Sequence, residues 1–130
     1  MDIVFTGVAM ATRDEVKEVL EALRFAIMCE RCVFVPRPQT EQDLNALGMN
    51  RISARDLLKK LEVDDYVRGP EPDDDNNGKP VWIFGWDRCA VEIYIKFNVF
   101  RKNRAAHTVA IWSFHAAKWP LKYPLREPVK

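Results

Sequence analysis

The ten residues VEIYIKFNVF, at positions 91–100, alternate apolar and polar side chains. Successive side chains of a strand point to opposite sides. Val91, Ile93, Ile95, Phe97 and Val99 therefore share one face, and Glu92, Tyr94, Lys96 and Asn98 share the other. A helix would scatter both sets around its axis, so this stretch commits the chain to a sheet with one buried face. VWIFGW (81–86) and HTVAIWSFH (107–115) read as two further strands, joined to it by short polar links. Upstream the apolar period is helical. Thr12 and Glu15 form a capping box, and Val16, Val19, Leu20, Leu23 and Ile27 predict a helix over 13–28. CVFVP (32–36) is a short strand, Thr40 caps a helix that runs through Leu47 to Gly48, and Ser53 starts another with the stripe Leu57, Leu58 and Leu61. Helices first and a meander last give an α+β fold, with N-terminal helices packed on a C-terminal antiparallel sheet.

The 130 residues suffice for one domain with its own core, spanning 1–130. GPEPDDDNNGKP, residues 69–80, is expected to be an exposed acidic loop. No apolar run approaches the roughly 20 residues of a membrane helix, and MDIVFTGVAM lacks the basic start of a signal peptide. A cytoplasmic location is expected, with residues 1–9 read as an extension or upstream start ahead of ATRDEV. Charge is segregated along the chain. Residues 1–78 hold 10 Lys/Arg against 16 Asp/Glu, net −6, and residues 79–130 hold 10 against 3, net +7. A basic half suggests an anionic partner, with nucleic acid the commonest. The alternative is that acidic helices neutralise a basic sheet.

The link RKNRAA centres between residues 103 and 104, so partners across that hairpin should sum to 207. That register sets Tyr94 opposite Ser113, Lys96 opposite Ile111 and Glu92 opposite His115, with Ala110, Trp112 and Phe114 toward the core. Val109 and Ile111 then join the polar side. One face gathers Glu92, Tyr94, Lys96, Ser113 and His115, beside a link that carries Arg101, Lys102 and Arg104. These are the residue types that metal-free RNA cleavage requires. A base takes the 2′-hydroxyl proton, cations stabilise the phosphorane, and an acid protonates the leaving oxygen. Lys96 suits charge stabilisation, and imidazole as a side chain titrates near neutrality. The competing reading is an ordinary solvated sheet face.

Other signals are weaker. Cys29 and Cys32 have the C-x-x-C spacing, but a structural zinc site needs four ligands and only Cys89 and two histidines remain. Plain thiols are expected, with no metal and no cofactor. DDDNNG (73–78) imitates the start of a calcium loop, yet the twelfth position falls on Phe84 rather than a glutamate. Of the four tryptophans, Trp82 and Trp112 are expected in the core, whereas Trp86 and Trp119 are candidates for base stacking.

Taken in order, LEVDDYVRGPEPD, VWIFG, VEIYIKF and IWSFHAAKWPLKYP resemble the MqsR-type toxins of toxin–antitoxin systems, relatives of the RelE fold. The likeness covers roughly residues 40–124 and is most specific in Asp-Tyr-x-x-Gly-Pro, Trp-x-Phe-Gly, Tyr-Ile-Lys and Ser-Phe-His. It implies a RelE-like, metal-independent mRNA endoribonuclease that halts translation. It also implies an antitoxin partner, often zinc-binding with a helix-turn-helix. The family's sheet tyrosine and lysine fall on Tyr94 and Lys96, and a last-strand lysine falls on His115. A helix-end lysine falls beside Val67 and Arg68, and a glutamine becomes Ile83. Arg68 therefore joins Tyr94, Lys96 and His115 in the expected catalytic set, with Lys79, Arg101, Lys102, Arg104, Lys118 and Lys122 expected to bind RNA. A non-catalytic RNA-binding or regulatory module on the same fold is the second reading.

Overall fold

The structure, a computed structural model, describes residues 10–74, 78–101 and 107–127. Residues 1–9, with the expected extension, lie outside them. The order is α1 (Arg13–Met28), β1 (Cys32–Phe34), α2 (Pro38–Ala46), α3 (Arg51–Leu58), a 3-10 turn (Val63–Asp65), β2 (Tyr66–Pro72), β3 (Pro80–Trp86), β4 (Ile93–Arg101) and β5 (His107–Ala116). This is an α+β fold. Its five strands lie in the order β1-β5-β4-β3-β2. β2 to β5 run antiparallel, and β1 adds a parallel edge beside β5, so the sheet is mixed rather than purely antiparallel.

α1 forms where its cap and stripe require. The Thr12 hydroxyl accepts from Glu15 N, the Glu15 carboxylate accepts from Thr12 N, and Val16, Val19, Leu20 and Leu23 are buried. The next two helices start earlier than expected. α2 begins at Pro38, whose missing N–H costs nothing in a first turn, while the Thr40 hydroxyl donates to Val35 O. α3 is capped by Asn50, with Ser53 returning the bond from the third helical position. The helices and the inner sheet face enclose one core that includes Leu20, Leu23, Leu58, Phe84, Ile95 and Phe97.

β2 corrects the expected loop. Residues 69–72 belong to β2, where Glu71 and Pro72 pair with Val81 and Pro80, and the connection begins only at Asp73. Gly69 permits this, with φ +116° and no room for a side chain: a Cβ would stand 2.6 Å from Val81 O. Gly-Pro here serves a strand rather than a turn. Val91, expected in the core, precedes β4 and is 47 % exposed. Trp86, expected at the surface, is buried, with the Arg88 guanidinium 3.8 Å over its ring.

The β4–β5 register also differs from expectation. Tyr94 pairs with His115 and Lys96 with Ser113, after which Phe97 pairs with Ile111. One step on β4 spans two on β5, so Trp112 is the extra residue of a bulge. The bulge inverts the alternation beyond it. Val109 and Ile111 enter the main core, and Trp112 turns to the opposite face, where its indole N–H donates to Asn98 Oδ1 at 2.9 Å.

Candidate active site

Pairing across the strands sets the outer face out in rows. One row crosses four strands as Arg68, Ile83, Lys96 and Ser113. The next runs Gly85, Tyr94, His115. Tyr94, Lys96 and His115 therefore meet on one floor, as the sequence pattern groups them, joined by Arg68, which the resemblance alone implied, although Tyr94 faces His115 and not Ser113. A cleft of about 700 Å³ stands over this floor, also lined by Val67, Trp119, Leu121 and Lys122.

The face is not a solvated one. Lys96 is only 9 % exposed, and Val67, Val81 and Ile83 form a second apolar cluster against Tyr94, Trp112, Leu121 and Tyr123. The C-terminal tail, from Ala117 onward, builds the far wall. Glu92 holds it: Leu121 N donates to Oε1 at 3.0 Å, and the Tyr123 hydroxyl donates to Oε2 at 2.7 Å. Gly85 makes the space, since a Cβ there would lie 2.5 Å from the Tyr123 hydroxyl and 2.6 Å from Leu121 Cδ1. Beyond it, Arg126 caps the Tyr123 ring at 4.0 Å and bonds Asp87 at 2.8 Å. No sequence period announces this docking, because its contacts join Glu92 and Gly85 to residues roughly thirty to forty positions away.

Tyr94 and His115 stack with ring centroids 5.1 Å apart and planes at 16°. His115 Nδ1 lies 2.8 Å from Ala116 O. A carbonyl only accepts, so Nδ1 carries the proton and the neutral ring keeps its lone pair on Nε2. Burial raises the Tyr94 phenol above its ordinary range; Arg68 and Lys96 pull it down, and Glu71 and Asp73 push it up again. The phenol is thereby held protonated at neutral pH.

Each floor cation meets a carboxylate from the end of β2. Lys96 Nζ is 3.1 Å from Asp73 Oδ1, and Arg68 Nε is 3.0 Å from Glu71 Oε1. Asp73 Oδ2 is buried with no hydrogen-bond partner. Sequence reasoning missed both acids because it assigned them to a loop; strand alternation from Arg68 would in any case have sent Glu71 and Asp73 to the other face, and it is the irregular pairing between Arg68 and Glu71 that brings them to the floor.

The expected RNA-binding cations divide. Lys118 and Lys122 line the cleft. Lys79 is exposed and lines no part of it. Arg101 pairs by its backbone with His107 at the opposite end of the hairpin, about 23 Å along β4 from Tyr94 at 3.3 Å per residue. Arg101 is therefore not beside the site. Lys102 and Arg104 lie outside the described residues. Cys29 and Cys89 are exposed and Cys32 is buried. Among the described residues no group of three His, Cys, Asp or Glu side chains is placed to hold a metal ion, and no helix is long and apolar enough to cross a membrane.

Comparison with protein-family models, with curated proteins and with solved structures finds no match.

Proposed function

We propose that this protein is a metal-independent endoribonuclease of the MqsR type, a cytoplasmic toxin on a RelE-like sheet that cuts mRNA and is restrained by an antitoxin. The observation that carries the reading is the stacked Tyr94–His115 pair beside Lys96 and Arg68 on one cleft floor. Its motif likeness, in Asp-Tyr-x-x-Gly-Pro, Tyr-Ile-Lys and Ser-Phe-His, supports the same reading.

In this mechanism His115 Nε2 takes the proton of the 2′-hydroxyl, and the 2′-oxygen attacks phosphorus. Lys96 and Arg68 stabilise the charge gathered on the phosphoryl oxygens. The bond to the 5′-oxygen breaks as the Tyr94 phenol gives that oxygen its proton. A departing alkoxide is far more basic than any phenolate, so a raised phenol remains an adequate acid. The products are a 2′,3′-cyclic phosphate and a 5′-hydroxyl.

The test is incubation of the purified protein with single-stranded RNA in chelator, with end-group analysis of the fragments. Cyclic-phosphate ends, lost in Lys96→Ala and His115→Ala, are expected, as is relief of growth arrest by both variants. Folded variants that arrest growth as the parent does would refute the site.

One observation favours the second reading, a non-catalytic RNA-binding module. Asp73 and Glu71 sit on the two floor cations, where a phosphate would have to compete. That reading predicts salt-dependent RNA binding with no cleavage product.

A further inference from the structure

Trp119 is 78 % exposed, more than any other large apolar side chain among the described residues. Leaving an indole in water forgoes the burial that normally stabilises it, and here the backbone beneath it is fixed. Glu92 clamps Leu121 and Tyr123, Arg126 bonds Asp87, and the Arg13 guanidinium donates to Leu125 O at 2.7 Å. A rigid support under an exposed ring is a preorganised binding surface. Trp119 also lines the same cleft as Tyr94 and His115, with Lys118 before it and Lys122 shortly after.

We propose that Trp119 is a stacking platform for one unpaired base of a single-stranded RNA, with Lys118 and Lys122 holding the phosphates on either side of that base. This rests on the RNA reading above and adds to it a base subsite on the tail, next to the scissile phosphate. A single strand presents flat bases and phosphates in alternation, which the order lysine, indole, lysine matches. In a duplex the bases are already stacked on one another, so the ring has no free face to meet. Stacking tolerates any base, so the subsite selects strandedness rather than sequence. A protein partner's anchor pocket would want an apolar ring around the indole. Its flanks instead carry Lys118 and Lys122 with Pro120 and Pro124, while Leu121 and Tyr123 between them pack on the sheet.

The experiment is a titration with a 2′-O-methyl single-stranded oligonucleotide, which cannot be cleaved, read by tryptophan fluorescence, alongside cleavage kinetics on the unmodified strand. Wild type should show quenching. Trp119→Ala should lose that quenching, bind roughly tenfold more weakly, and raise KM to match while kcat stays within about twofold. Trp119→Phe should recover most of the affinity, and the duplex of the same sequence should neither quench nor bind comparably. Cleavage with an unchanged KM and affinity in Trp119→Ala would overturn the platform and leave the ribonuclease standing. Quenching and binding by wild type without any cleavage would overturn the ribonuclease and leave the platform. Equal weakening toward single strand and duplex would overturn the unpaired-base assignment.

Discussion

Tyr94 and His115 lie face to face on adjacent strands, 5.1 Å between centroids and 16° between planes. The stack fixes the plane of the imidazole, and the bond from Nδ1 to Ala116 O fixes its tautomer. Only Nε2 is left to exchange a proton. His115→Gln should therefore lower single-turnover cleavage by about 10²–10⁴ with little change in RNA affinity. Tyr94→Phe keeps the ring and the stack but removes the phenol, and a comparable loss is expected. Wild-type cleavage by Tyr94→Phe would mean that the leaving oxygen takes its proton elsewhere.

The pair between Asp73 and Lys96 sets a second expectation. A carboxylate 3.1 Å from the ammonium competes with any phosphate for the same charge, and little water screens the contact. Asp73→Asn removes the competing charge at constant volume. RNA binding should tighten by about threefold to tenfold, and its salt dependence should steepen by about one unit of log–log slope. Filter binding across a salt series measures both. Weaker binding in Asp73→Asn would show that the carboxylate instead orients Lys96 for use.

How much of this was legible depended on whether each element is fixed locally. α1 could be read because Thr12, Glu15 and its apolar stripe all lie within one stretch of chain. The gathering of Tyr94, Lys96, Ser113 and His115 on one face followed from alternation, and it survived a wrong register because the shift between the expected and observed pairing at that end is even. The bulge at Trp112 was hidden, since VAIW is apolar at every position and fits either face. β2 was hidden by Gly69-Pro70, which as a dipeptide signals a turn. The tail was hidden for a different reason. Its docking depends on a side chain that Gly85 lacks, and on a carboxylate, Glu92, that reads as ordinary surface charge.

Gly85 gives the tail its place, so Gly85→Ala should expel it. The added Cβ meets the Tyr123 hydroxyl at 2.5 Å and the ring at 2.9 Å, and overpacking of this kind costs typically about 1–3 kcal/mol. Limited proteolysis should trim the C-terminal residues of the variant well before those of the parent. A tail that resists protease equally in both would show that the strand, rather than the tail, yields to the methyl group.

The cysteines should separate by reactivity. Cys29 and Cys89 are exposed, whereas burial pushes the Cys32 thiol up to about 11, against a smaller opposing effect of Arg55. Only the thiolate attacks a disulfide reagent. Two thiols should react quickly with such a reagent at neutral pH, and the third only on unfolding. Three fast thiols would place Cys32 at an opening strand edge.

Alkaline titration tests the core and the tail together. The three tyrosines, Tyr66, Tyr94 and Tyr123, are all raised above the ordinary phenol, with burial the largest cause in each. Tyr123 is raised further by the Glu92 carboxylate to which it donates. A folded-state pKa above the unfolded one contributes stability that is complete below the unfolded value, about 10 for tyrosine, and that is lost as pH rises through the folded value. The tyrosines' share of the stability should hold up to about pH 10 and be lost above. Tyrosinate absorbance should rise late and steeply, together with loss of the circular dichroism of the fold, whereas in denaturant it should rise smoothly about the ordinary midpoint. Tyr123→Phe should shift the alkaline transition upward, because it removes a group whose ionisation beside Glu92 drives the tail off the sheet. A step at the ordinary midpoint that is present in the parent with the fold intact, and absent from Tyr123→Phe, would refute the clamp between Glu92 and Tyr123.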